Sequence, residues 1–232
     1  MEEFNPRIVL AMSLIHPGIG NIKMKNYEKN VFINCPFDKD YQHLLHTLIF
    51  TIIFLGHKPR ITLERTDSGE TRFSKICELI KVSKYSIHDL SRIKSAKKGE
   101  YFRLNMPFEL GLDIGSRIFN PKINGSKRCL ILEEEPYRFQ AAISDISNSD
   151  IKHHGGEVYN MIKAVRNWFA ENGLKHTPGP KKILNKYVDF IDDFYEKRIS
   201  EGFTKREIYD MPIKEMIDYM EEWKNITTKI NL

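Results

Sequence analysis

The feature that most constrains the fold is a repeated pairing of a short apolar run with a longer helical pattern. Val31-Phe32-Ile33-Asn34 is β-branched and aromatic, stops at Cys35-Pro36, and reads as a buried strand. Residues 38–56 come next, with Leu44, Leu45, Leu48, Ile49, Ile52 and Ile53 at helical spacing, and Gly56 stands where a helix stop is expected. The pairing then recurs. Residues 58–63 form a second strand pattern, with Pro59 placing its start at an edge or turn, and 71–83 a helix with Phe73, Ile76, Cys77 and Ile80 inward. Residues 85–90 form a third strand pattern and 128–132 a fourth. Between them a helix over 105–119 opens with Asn105 as cap and Pro107 in its first turn. Residues 138–146 read as helical, 150–156 as a short extended piece with a glycine turn, and 158–172 as an amphipathic helix through Ile162, Val165, Trp168 and Phe169. Strands alternating with helices at this spacing predict an α/β layer with a mostly parallel sheet.

Thr177-Pro178-Gly179-Pro180 breaks the pattern, and the chain beyond it is helical over 181–200 and 204–225, with Met211-Pro212 as a divider. The expected organisation is an N-terminal extension over 1–29, an α/β domain over 30–176 and a C-terminal helical appendage over 181–232 with a lid or assembly role. No run of 18 apolar residues occurs, so no transmembrane helix and no membrane partner are expected. The apolar run at 8–15 is preceded by an acidic segment and has no small-residue cleavage site after it, which argues against a signal peptide. Cys35, Cys77 and Cys129 are odd in number and far apart, which suggests reduced thiols in a cytoplasm. The 36 basic and 31 acidic residues are mixed along the chain, so the net charge of +5 forms no stripe and a nucleic-acid partner is not expected. The balance suits a phosphate-bearing small ligand.

In parallel sheets ligands sit outside the carboxyl ends of the strands, at the switch in strand order. Polar clusters at 34–38, 64–70 and 88–92 fall at such ends, and 105–109 opens the next helix. Glu109 is either an ordinary first-turn glutamate favoured by the helix dipole or a nucleophile at the sheet edge. Asp89 is either a turn residue paired with Arg92 or a ligand contact. Asp38 caps the next helix or belongs to a turn, Asn34 to Asp38, that presents backbone N–H groups to a phosphate. Cys35 reads as a buried structural thiol, and His153 and His154 as surface or supporting groups rather than metal ligands. The basic stretch of Arg92, Lys94, Lys97, Lys98 and Arg103 is a solvated segment or a phosphate-steering lid. Neither GxGxxG nor GxxxxGK[ST] occurs, so a nicotinamide dehydrogenase or P-loop ATPase is not expected.

The strings VFINCPFDKDY, YSIHDLSR and NMPFELGLDIG resemble a bacterial group related to nucleoside 2-deoxyribosyltransferases and to TIR domains, over roughly residues 31–169. That resemblance implies a flavodoxin-like (Rossmann-like) sheet and chemistry at a ribosyl C1′. It implies Glu109 as the catalytic carboxylate, Asp89 as a contact to base or sugar, and Asn34, Pro36 and Phe37 as pocket residues. Arg92 would fix the sugar or base, with Asp38 and Asn105 alongside in the substrate site. The segment before Glu109 departs from the glycine-containing turn of the transferases, which leaves room for a phosphorylated substrate. The resulting expectation is an N-glycosidic-bond hydrolase or transferase acting on a nucleotide, with NAD as substrate rather than cofactor and no metal. The resemblance further implies a role as an effector in bacterial antiphage defence, with a second copy or a defence partner meeting the C-terminal helices. The alternatives are a nucleotide-sensing module without catalysis, a nucleoside 2-deoxyribosyltransferase or nucleotide N-glycosidase acting on (deoxy)nucleotides, and a scaffold whose partner surface is the C-terminal helical pair.

Overall fold

In the computed structural model, which describes residues 26–92, 104–141, 143–146 and 149–230, strand β1 (Asn30–Asn34) is buried at every position. It lies inside a five-stranded sheet of order β2-β1-β3-β4-β5, in which every neighbouring pair is parallel. The other strands are β2 (Lys58–Arg60), β3 (Tyr85–Asp89), β4 (Arg128–Glu133) and β5 (Lys152–His153). This is an α/β flavodoxin-like fold. Strand order reverses between β1 and β3, so the switch point where parallel sheets of this kind hold ligands falls at the ends of these strands, Asn34 and Asp89.

Because side chains alternate along a strand, each strand serves both faces of the sheet. Val31, Ile33 and Ile87 join the core formed with α1 (Gln42–Phe54) and α5 (Val158–Glu171). Phe32 turns the other way, onto Ile76, Leu79 and Ile80 of α2 (Arg72–Lys81). Helix α3 (Asn105–Phe119) covers the same second face, and α4 (Pro121–Asn124) leads from it into β4.

Helix α1 is apolar on all sides, which marks a helix enclosed on all sides. Nine of its thirteen residues are buried. Its outer side is covered by α6 (Pro180–Ser200) and α8 (Ile213–Ile230), with the short α7 (Lys205–Tyr209) between them. Phe50 packs against Tyr187, Phe190 and Trp223 with ring centroids 5.2–5.9 Å apart. The Lys224 ammonium donates to the Ile53 carbonyl at 2.6 Å. The helices beyond the Pro178–Pro180 break therefore share one core with the sheet. Helix α1 ends at Gly56, whose φ of 86° is left-handed, and His57 N donates back to Ile52 O.

Three sequence expectations change. The second strand stops at Arg60 and becomes a 3-10 turn over Thr62–Glu64; as an edge strand containing Pro59 it has little ladder to extend. The helix expected over 138–146 is two 3-10 turns, Arg138–Ala141 and Ser144–Ile146, which already seat Phe139, Ile143 and Ile146 on one small cluster. Phe73 points outward, against Phe108. Among the described residues, no helix is long and apolar enough to cross a membrane.

Candidate functional site

Strand alternation divides the polar groups at the sheet's carboxyl edge between its two faces. Ser86 and His88 point toward α3, whereas Tyr85, Ile87 and Asp89 point toward α1 and α5.

On the α3 side, Asn34 Nδ2 donates to the Met106 carbonyl at 2.8 Å and to His88 Nδ1 at 2.9 Å. The first bond fixes the amide orientation, since only the nitrogen can donate to a carbonyl. His88 therefore accepts at Nδ1 and presents Nε2–H to Asp113 Oδ2, 3.2 Å away. Asp113 also accepts from Ser86 and lies 3.1 Å from the Lys127 ammonium. Lys127 donates in turn to the carbonyls of Ile80 (2.7 Å) and Ser83 (2.6 Å). Burial pushes the Asp113 carboxyl up, but His88, Lys127 and Ser86 outweigh it and hold it well below the usual carboxylate range. Burial lowers the Lys127 ammonium, partly offset by Asp113. Ligand atoms of His88, Asp113 and Cys129 lie within 4.8 Å of one another, a spacing open to a cation. The Lys127 ammonium already sits there, which makes the group an ion-pair network.

This network anchors the first turn of α3 through the Met106 carbonyl; Glu109 lies one turn further on, not in the first turn where the sequence places it, because the helix already starts at Asn105. The Glu109 side chain is 4% exposed, while that of Arg72, 3.4 Å away, is 53% exposed. Burial raises the Glu109 carboxyl above its ordinary value, and Arg72 and His88 pull against that rise. The Arg72 guanidinium lies 6.0 Å from the centre of the Phe37 ring, and the rings of Phe73 and Phe108 stand 6.3 Å apart beside it. Arg72 thus joins a nearly buried carboxylate to the Phe37 ring, and the sequence neighbours Phe73 and Phe108 pair with each other.

Asp89 belongs to the opposite face and is fully buried. It accepts from the Tyr41 hydroxyl, from Ser91 N (2.9 Å) and Oγ, and from His154 Nε2 (3.0 Å). His154 Nδ1 accepts from Gly156 N, so its proton lies on Nε2. Burial pushes Asp89 up, but these donors bring its carboxyl below the ordinary value. The same burial, joined by Asp89, Glu109 and Asp38, drives the Cys35 thiol well up and leaves it unreactive.

Of the other expected site residues, Asp38 caps the 3-10 turn Lys39–Tyr41 through Tyr41 N and pairs with Arg92 at 3.2 Å. Arg92 also reaches Glu134 at 3.7 Å. Pro36 is buried under the β1 end and Phe37 is half-buried. Asn105 is exposed in the first turn of α3 and does not cap it; the capping position is Leu104, without a side-chain bond. The 64–70 cluster closes on itself through Arg60–Glu64 and Arg65–Glu70. Lys94, Lys97, Lys98 and Arg103 lie outside the described residues.

No family model, curated protein or solved structure matches this chain. Its chemistry is the guide to the site. Sequence reasoning missed Arg72, Lys127, Asp113, Tyr41 and the supporting role of His88. The apolar residues around Asp113 in α3 gave a signal: a carboxylate on the inward stripe of a helix needs a buried cation.

Proposed function

We propose that the protein cleaves the N-glycosidic bond of a nucleotide, with NAD as the leading substrate and Glu109 as the group that meets the ribosyl cation. The observation that carries this reading is the Glu109 carboxylate, nearly buried and paired with the half-exposed Arg72, whose guanidinium also lies over the Phe37 ring.

Breaking a C1′–N bond leaves positive charge shared between C1′ and the ring oxygen, the oxocarbenium-like state that carboxylates stabilise in glycoside hydrolysis. A carboxylate in a poorly hydrated site interacts with that cation more strongly than one in water. Glu109 either attacks C1′ to form a ribosyl ester, which water then hydrolyses, or holds the cation until water adds. In both cases the bond electrons leave with the base. Nicotinamide departs from a cationic pyridinium and needs no proton, so one carboxylate suffices. Arg72 lies where a substrate phosphate would meet it, and the Phe37 ring offers a planar base a stacking surface. Asn34 positions Glu109 by holding the α3 first turn, and Asp89 holds the β3 end.

The test is incubation of the purified protein with NAD, NADP, nucleoside triphosphates and deoxynucleosides, with chromatography of the products beside Glu109→Gln. Release of a free base by the wild type alone is expected. Undiminished release by the variant overturns the role of Glu109, and nucleotide binding without product favours the sensing module.

A further inference from the structure

Helix α3 carries a second feature on the side away from Asp113. Leu104, Phe108, Gly111, Gly115, Ile118 and Phe119 recur at three- and four-residue spacing and form one stripe. Leu104 is 63% exposed, Phe108 56%, Ile118 60% and Phe119 88%. A groove of about 670 Å³ runs along the stripe, with Lys81 at its edge. No charged side chain of α3 stands on this face: Glu109 and Asp113 are buried, and Arg117 lines a different cavity beside Ile114. Helix α6 shows what a solvated helix of this protein looks like. Its outer face carries Lys181, Lys182, Asp189, Asp192, Glu196 and Lys197.

Gly111 sharpens the contrast. It sits in mid-helix without a left-handed φ, and a Cβ placed on it would meet nothing within 4 Å. A mid-helix glycine lowers helix stability relative to alanine, and nothing among the described residues uses the space it leaves. A backbone or ring approaching from outside would.

We propose that the α3 stripe is a two-fold interface with a second copy of this chain. The face excludes a charged partner and suits one that offers rings and notches without charge, and it offers both itself. In an isologous contact residue i meets j and j meets i. An axis near Gly115 sets Phe119 of each copy against Gly111 of the other. Size agrees as well. Phenylalanines at the observed exposures each offer roughly 100–170 Å². With Leu104 and Ile118 included, two copies cover about 1,000 Å², the size that a specific interface should clear. The pairing would place Phe108, the neighbour of Glu109 in sequence, within the interface.

Sedimentation velocity of the full chain at micromolar concentration tests this. The wild type is expected at twice the chain mass, and Phe119→Glu at the chain mass with an unchanged circular dichroism spectrum. Gly111→Ala is expected to weaken association about tenfold or more while raising the melting temperature of the Phe119→Glu monomer, opposite signs that a merely structural glycine would not give. Ile226→Glu, at an exposed site on α8, is expected to leave the dimer intact. A monomeric wild type, or a dimer that survives Phe119→Glu, overturns the proposal. If Phe119→Glu does not fold, unimpaired association of Gly111→Ala overturns it instead.

Discussion

Replacing Lys127 with methionine keeps the stem and deletes the ammonium. The Lys127 side chain is 3% exposed and Asp113 2%, so solvent cannot take over the lost contacts. The deletion leaves the Ile80 and Ser83 carbonyls without their ammonium donor and Asp113 with His88 and Ser86 alone. Removing one partner of a buried pair costs about 3–5 kcal/mol. That is a large share of the roughly 5–15 kcal/mol by which a native domain is stable. The loss carries a pH signature. In the wild type the Asp113 carboxyl is depressed, so its contribution is present above the unfolded value and is lost as the pH falls through the depressed folded value. Without Lys127 that carboxyl rises. The deficit of the variant is then full at neutral pH and narrows on acidification, as Asp113 takes a proton. Urea unfolding monitored by circular dichroism, at pH 7 and at pH values stepped toward 4, measures both quantities. The double variant Asp113→Asn, Lys127→Met, which buries no lone charge, should recover part of the loss. A cost below about 1 kcal/mol at neutral pH, or a deficit independent of pH, refutes the reasoning.

The same geometry sets two further outcomes. Asn34→Ala removes the bond to the Met106 carbonyl and the partner of His88; base release should fall at least about tenfold while the unfolding midpoint changes modestly, since a displacement of about 1 Å at a reacting group is enough for such a loss. An equal fall in stability and activity would contradict the positioning role. His46 and His57 are both held down to about 4 by burial, His46 also by His43 and His57 by nearby lysines. Between about pH 4 and 6.5 the unfolded chain binds protons that the folded chain refuses, so stability rises with pH in that window and is lost as the pH falls through it. Melting temperatures that stay flat from about pH 6.5 to 4.5 would show these rings to be hydrated.

Local pattern carried most of the architecture. The apolar run ending at Asn34, the all-round apolar helix and the Gly56 stop, and the Pro178–Pro180 break each act through neighbouring residues, and each stands where sequence places it. The failures share a cause. Phe73 fits an inward position on α2, yet α3 leaves it outside, and no property of α2 alone reveals where α3 lies. The candidate site was half legible. Glu109 stands out in sequence as a carboxylate near the start of a helix, although it lies one turn deeper than the first turn that the sequence suggests. Its cation, Arg72, is 37 residues away, and the amide that fixes the turn, Asn34, is 72 residues from Met106. Such pairings are set by which strands lie adjacent. Asp89 and His88 are consecutive in sequence and serve opposite faces, a distinction that comes from strand period but takes meaning only once both faces are covered.

The enclosure of α1 has a consequence for the birth of the protein. Its residues leave the ribosome more than a hundred positions ahead of Tyr187, Phe190 and Trp223, which cover its outer side. Once α5 has emerged, this helix, the most apolar among the described residues, has one side seated and the other bare. Emergence of α6 and α8 is therefore the step that closes the core around α1, and until then its apolar outer side is open to aggregation and to chaperones.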